Sequence, residues 1–230
     1  MTEKHIEFAQ NSVVDLAEFK NLTAGEILKR GNDSREKLNE LWVKGEKNHI
    51  LYYSKVIGEH YLYDLAHWHA TSSGVWKWLK AVEDNVRGKR VLDFGGGIGT
   101  YTLLLSYLGF DTTFVDINPH NEEFTRWRLK KYNLNASFEL KGKYDSIACL
   151  DTLEHLPNPA LTLVDFYNLL NPEGILIMTY EFNTAGGKRA MHLDSKEAIR
   201  AFKEAENKLF ILIKAVDVGS STSPLIFKKR

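Results

Sequence analysis

Cysteine is nearly absent. Cys149 is the one thiol in 230 residues, so no intrachain disulfide and no thiolate zinc cluster can form, a usage that fits a reducing cytosol. Charge of one sign is absent too: 30 Lys and Arg balance 30 Asp and Glu, for a formal net charge of +0. The basic surplus that usually marks nucleic-acid binders is missing, although a local basic patch stays open. No apolar run approaches the length of a membrane span, and the start at Met1-Thr2-Glu3-Lys4-His5 has no signal-peptide character. Internal repeats and low-complexity tracts are lacking as well. These absences predict a cytoplasmic chain with no nucleic-acid partner and no membrane contact.

What is present centres on Arg90-Val91-Leu92-Asp93-Phe94-Gly95-Gly96-Gly97-Ile98-Gly99-Thr100. Residues 91–94 read as a buried strand with an acid, Asp93, near its end. Gly95, Gly97 and Gly99 then alternate through a turn, and residues 101–108 read as a helix ending at Gly109. Strand, glycine turn and helix form a cradle in which a ligand can approach the backbone closely. The dinucleotide fingerprint G-x-G-x-x-G fails here, because counting from Gly95 and Gly97 puts its third glycine at Thr100. A carboxylate just before the turn repels a pyrophosphate but suits an ammonium, and S-adenosylmethionine carries an ammonium, a sulfonium and no phosphate. The bland alternative is a tight turn with a capping Asp.

Residues 111–116 read as a second strand ending in Asp116. That acid lies about 20 residues past the start of the glycine turn, the spacing at which a carboxylate accepts from both ribose hydroxyls. With VLDFGGGIGT (91–100), FVDIN (114–118), YDSIACLDTLEHLPNP (144–159) and LLNPEGILIM (169–178), the chain resembles the class I S-adenosylmethionine-dependent methyltransferases. It is most similar to the small-molecule branch that includes ubiquinone and menaquinone methyltransferases. The resemblance spans roughly 88–230. It implies an α/β fold: a Rossmann-like, seven-stranded, mostly parallel sheet with an antiparallel last strand and helices on both faces. It also implies S-adenosyl-L-methionine as cofactor and a small-molecule acceptor. The cofactor-binding residues are then Asp93, Gly95, Gly97, Gly99, Asp116, Ile117 beside the adenine, Asn118 near the ribose, and Asp151 near the methionine part. A methyltransferase acting on protein or RNA, and a non-catalytic S-adenosylmethionine-binding protein, are the alternatives.

The division expected is an N-terminal helical cap, 1–86, ahead of a donor-binding domain, 87–230. Helix starts are expected at Asn11 or Ser12 and at Thr23, where Glu26 stands at capping-box spacing. Residues 49–79, with Trp42 just before them, are rich in Trp and Tyr, either a pocket wall over the cofactor or a helical layer packed on the sheet. The cap could also be a dimerisation arm, so a homodimer through these helices is left open. His67 and His69, two apart on a helix, do not share a face and have no acid or cysteine set beside them, so no metal site is expected.

The third strand, 136–140, is short and poor, and it runs through Lys141-Gly142-Lys143 into the strand at 144–150. The acidic-plus-small pair that the resembled family usually places there against the adenine is missing, leaving Phe138, Glu139 and Leu140 as weak substitutes. Further strands are expected at 174–180, 210–218 and 224–228, with a turn at 171–174 and a mobile loop at 183–187. In-line methyl transfer needs mainly alignment and exclusion of water. A hydroxyl acceptor would also need a base, for which His155 and His192 are the candidates. The alternatives are a loop-shaping hydrogen bond for His155, and a capping or surface position for His192.

Overall fold

A computed structural model describes residues 4–183, 189–219 and 222–230. Most of the loop expected at 183–187 lies outside the described residues. Four helices come first: α1 (Lys4–Gln10), α2 (Ser12–Lys20), α3 (Ala24–Asn32) and α4 (Ser34–Lys44). The short α5 (His49–Leu51) runs into a π-helical turn at Tyr52–Val56, and α6 (His60–Thr71) and α7 (Ser73–Asn85) follow. Thr23 and Glu26 form the expected reciprocal cap of α3, whereas the Asn11 side chain at the N-cap of α2 does not cap it and donates instead to the Tyr132 hydroxyl.

The alternation of strand and helix begins at β1 (Arg90–Phe94), α8 (Thr100–Tyr107), β2 (Asp111–Val115), α9 (Pro119–Lys131) and β3 (Tyr144–Cys149). It continues through α10 (Pro159–Leu169), β4 (Leu170–Met178), α11 (Lys196–Leu209), β5 (Phe210–Ala215) and β6 (Leu225–Lys229). The sheet order is β2-β1-β3-β4-β6-β5. The first four strands are parallel, and β6 runs antiparallel to both neighbours, as expected for the last strand.

The described sheet has six strands, not the seven expected. Residues 136–140 contribute one bridge, Thr113 to Ser137, held by the Phe114 N–H on the Ser137 carbonyl and the Ser137 N–H on the Thr112 carbonyl, both at 2.8 Å. The Ser137 hydroxyl then accepts from the Glu139 N–H. A local hydroxyl-to-backbone bond thus competes with continued pairing at the point where the strand would extend. The turn expected at 171–174 is a bulge inside β4 instead: pairing jumps from Leu170 to Ile175, and Glu173 has φ +65°.

Strand residues alternate between two cores. Val91, Ala148, Ile177 and Ile226 face α7 and α8, together with Phe8 and Ala9 of α1. Leu92, Ile147, Leu176 and Phe227 face α10 and α11. The first core therefore draws on residues both before and after β1. Beneath the N-terminal helices lies a buried ion pair: Arg128 of α9 donates from Nε to Asp15 of α2 at 2.9 Å, with both side chains at most 1% exposed. At the far edge, β5 leaves Ile211, Leu212 and Ile213 exposed.

Candidate active site

The carboxyl ends of β1, β2 and β3 open on one cavity of about 380 Å³, walled on its other side by Tyr53, Tyr61, Leu65, Trp68, His69 and Trp78 from the helices ahead of the sheet. That volume lies in the usual range for small-molecule sites. Asp93, Gly95, Gly97, Asp116, Ile117, Asp151 and His155 all border it. Gly99, Asn118 and His192 do not.

The glycine turn is built for closeness. Gly95 and Gly97 have φ of +70° and +53°, left-handed values that glycine adopts without strain. A Cβ on Gly96 would stand 2.6 Å from the Phe114 ring and 2.8 Å from Asp93 Oδ2. Gly99, at φ +72°, begins α8 and lies against Thr125, 2.4 Å from where a Cβ would be. It supports the turn from behind. Asn118 is committed as well: its Oδ1 caps α9 by accepting from His120 N–H, and its Nδ2 donates to the Gly58 carbonyl.

The acids at the strand tips meet amide and hydroxyl donors of the chain. Asp93 accepts from the Thr102 hydroxyl at 2.6 Å, and burial pushes its carboxyl up to about 7, with the Asp116 charge adding to the rise. Asp116 accepts from the Gly97 N–H and the Asn118 N–H, each at 2.8 Å, and from Asn121 Nδ2. Burial still raises it to about 6. Asp151 has φ +50°, and its N–H donates to the Thr179 hydroxyl. Burial raises its carboxyl too, opposed by the charges of Arg189 and His192. Desolvated carboxyls facing one cavity favour a cationic occupant, which would restore their ionised form.

Histidines gather at the other end. His155 Nδ1 lies 2.7 Å from the Tyr53 hydroxyl. The Met191 carbonyl accepts from His49 Nε2 at 2.9 Å. Burial holds His155 well below the usual imidazole range, as do the neighbouring His192 and Arg189 charges. His192 stands edge-on to His155 with centroids 4.7 Å apart and donates from Nδ1 to the Glu181 carbonyl at 2.8 Å. Glu154 Oε1 accepts from the Glu181 N–H, and the Glu154 carbonyl accepts from Leu193 N–H, which fixes the segment bearing His192. Phe138, Glu139 and Leu140 do not border the cavity, and Leu140 is 45% exposed.

Sequence reasoning missed Tyr53, His69 and Tyr101. Aromatic richness pointed toward the first, His69 was weighed only as half of a metal pair, and nothing local distinguished Tyr101 from a core residue. Tyr101 is 6% exposed, borders the cavity, and its hydroxyl has no hydrogen-bond partner among the described residues.

S-adenosylmethionine fits this donor set. The unpaired Tyr101 hydroxyl lies beside two desolvated acids, Asp93 and Asp151, a donor and acceptor set that suits the cofactor's amino-acid end.

The methyltransferase-domain family matches residues 61–207. A ubiquinone biosynthesis O-methyltransferase from Psychrobacter arcticus is 27% identical over 112 residues, 44% of this chain and 44% of that relative. The chain thus spans under half the length of the curated relatives it matches. In fold it is similar to the N-methyltransferase NodS from Bradyrhizobium japonicum, crystallised with S-adenosyl-L-homocysteine (TM-score 0.55, 16% identity, 69% of this chain and 89% of that one). It is likewise similar to magnesium protoporphyrin IX methyltransferase from Synechocystis, also with bound S-adenosylhomocysteine (TM-score 0.51, 21% identity, 67% and 79%). With two acids at neighbouring strand tips around a glycine turn, and with a family match over more than half its residues, the chain belongs to the methyltransferase-domain family, in its class I S-adenosylmethionine-dependent branch.

Proposed function

We propose that the chain moves a methyl group from S-adenosylmethionine to an oxygen of a small acceptor, in the cytoplasm and without a nucleic-acid partner. The observation that carries this reading is the convergence of Asp93, Asp116 and Asp151 on one cavity whose opposite wall is rich in aromatic rings. Oxygen as the acceptor atom is supported by the O-methyltransferase relatives and by the Tyr53–His155 hydrogen bond at the cavity wall. Residues 1–86 serve as the cap and 87–230 as the donor-binding part.

When bound, S-adenosylmethionine supplies an electrophilic methyl on a sulfonium. Asp116 would accept from the ribose hydroxyls, Ile117 would flank the adenine, and Gly95 and Gly97 would offer close backbone. Asp93 and Asp151 would hold the ammonium end, while Gly99 and Asn118 brace the turn and the loop after β2. The apolar rings of the cap exclude water, which strengthens every polar contact inside. Tyr53 takes the hydrogen of the acceptor hydroxyl and passes its own to His155 Nδ1. His192 keeps the His155 ring in place through its edge contact.

Titration calorimetry of the chain with S-adenosylmethionine and with NAD tests the donor. The reading expects binding of the first and none of the second, and the reverse sinks it. Formation of S-adenosylhomocysteine with a panel of small phenols then tests the acceptor class.

A further inference from the structure

The geometry points to a relay that starts in the N-terminal helices and ends in the cavity: Asp15, Arg128, Thr100 and His69 act as a unit that presents a neutral imidazole N–H, beside the Tyr101 hydroxyl, to the carboxylate of the donor's amino-acid end. This rests on the reading of the cavity as an S-adenosylmethionine site.

Arg128 is 0% exposed and spends its donors inward. Nε reaches Asp15 at 2.9 Å, Nη2 the Phe8 carbonyl at 2.6 Å, and Nη1 the Ile98 carbonyl at 2.9 Å and Thr100 Oγ1 at 3.0 Å. A guanidinium does not lose its protons in proteins, so Thr100 Oγ1 always accepts from it. The single Thr100 hydroxyl hydrogen then needs an acceptor, and the one in reach is His69 Nδ1 at 2.9 Å. That direction fixes the tautomer: Nδ1 accepts and Nε2 carries the hydrogen. Burial and the Arg128 charge press His69 down to about 3, so the ring stays neutral across the physiological range.

His69 borders the cavity, and its Nε2 makes no hydrogen bond to a described residue. Its ring lies edge-on to that of Tyr101, with centroids 6.4 Å apart, and the Tyr101 hydroxyl is buried and unpartnered. Asp93 and Asp151 are close enough for their charges to raise Tyr101. Two donors therefore share one end of the cavity with two acids. An amino-acid head group asks for this pairing, with acids for its ammonium and donors for its carboxylate. A simple cation would leave the donors idle, and a simple anion would be repelled by the acids. Trp68 and Trp78 close that end with apolar surface, where a hydrogen bond to a charged oxygen is stronger than in water.

Two ligands separate this idea from its neighbours: S-adenosylhomocysteine, which carries the amino-acid end, and 5′-methylthioadenosine, which lacks it. Calorimetry on the full chain should show His69→Ala and Tyr101→Phe each weakening S-adenosylhomocysteine by about tenfold or more, the scale of a hydrogen bond to a charged group. The 5′-methylthioadenosine affinity should move less than about twofold. Thr100→Val should follow His69→Ala in direction, because it frees the tautomer. His69→Gln, which keeps an N–H near the Nε2 position, should retain most of the affinity and shows that the loss is not one of folding. Equal losses for both ligands, or no loss for either, overturn the relay while leaving the donor site standing. Failure of the unaltered chain to bind S-adenosylhomocysteine overturns both.

Discussion

The two walls of the cavity are made in different ways. The strand-tip wall takes Asp93, Gly95 and Gly97 from one uninterrupted stretch and Asp116 from the next strand. Its geometry is set by parallel pairing of β1 with β2 and by a turn whose backbone admits little else. The cap wall takes Tyr53 from a π-helical turn, His69 from α6 and His155 from the loop after β3, and each is aimed by a partner far along the chain. The Tyr53–His155 contact spans 102 residues and the His69–Thr100 contact 31. The first wall is local and stiff, whereas the second exists only when distant segments have assembled. A site divided this way can keep its hold on the donor while cap residues other than His69, such as Tyr53, vary with the acceptor.

The largest expected effect breaks the assembled wall from outside it. Asp15→Ala strands Arg128 in the interior and should cost about 3–5 kcal/mol of stability, read as a drop of about 10 °C in the melting midpoint for a chain of this size. A loss under about 1 kcal/mol would mean that the Phe8 and Ile98 carbonyls and the Thr100 hydroxyl, which also accept from Arg128, satisfy it without a carboxylate. Next, His155→Ala should lower kcat by about a hundredfold or more, within the usual range of acid–base catalysis, with S-adenosylmethionine affinity unchanged. His192→Ala should cost less. If His192→Ala proves the more damaging, the proton leaves by another route.

Asp116→Ala tests the stiff wall and should weaken S-adenosylmethionine by at least about 1.5 kcal/mol, the low end for hydrogen bonds to a charged acceptor. The same wall should respond to pH. Asp93 and Asp116 hold protons up to about 7 and about 6 in the folded chain, above the usual carboxylate range. Their contribution to stability is therefore present in acid and fades as pH rises through those values. A cationic donor favours the ionised acids, so its affinity should rise by about tenfold between pH 6 and 8. Calorimetry across that span, showing flat affinity, would mean that neither acid faces the cation. Smallest of all, Leu140→Ser, off the cavity and exposed, should change affinity by less than about twofold.

This contrast also decides what could be read from residues alone. Asp93 and Asp116 were legible because their spacing carries the geometry: one strand, one glycine turn, one neighbouring strand. The third strand was misjudged because edge pairing at Ser137 depends on what its hydroxyl bonds, which pattern does not show. His69 looked like half of a poor metal pair. Its position opposite Thr100 arises from how α6 lies over the start of α8, and no periodicity within α6 reports that. Asn118 kept its place beside Asp116 but turned inward to cap α9, a choice that an Asn-Pro sequence equally allows.

The buried Arg128–Asp15 pair has one more consequence. The stretch of sequence shared with the family begins at residue 61, but α9 inside that stretch relies on an anion supplied from far upstream. The portion that recurs across relatives and the portion able to stand by itself are therefore not the same piece. Excising the shared portion would strip this guanidinium of its carboxylate and of the Phe8 carbonyl. Grafting this donor site onto another protein would require carrying its first helices along.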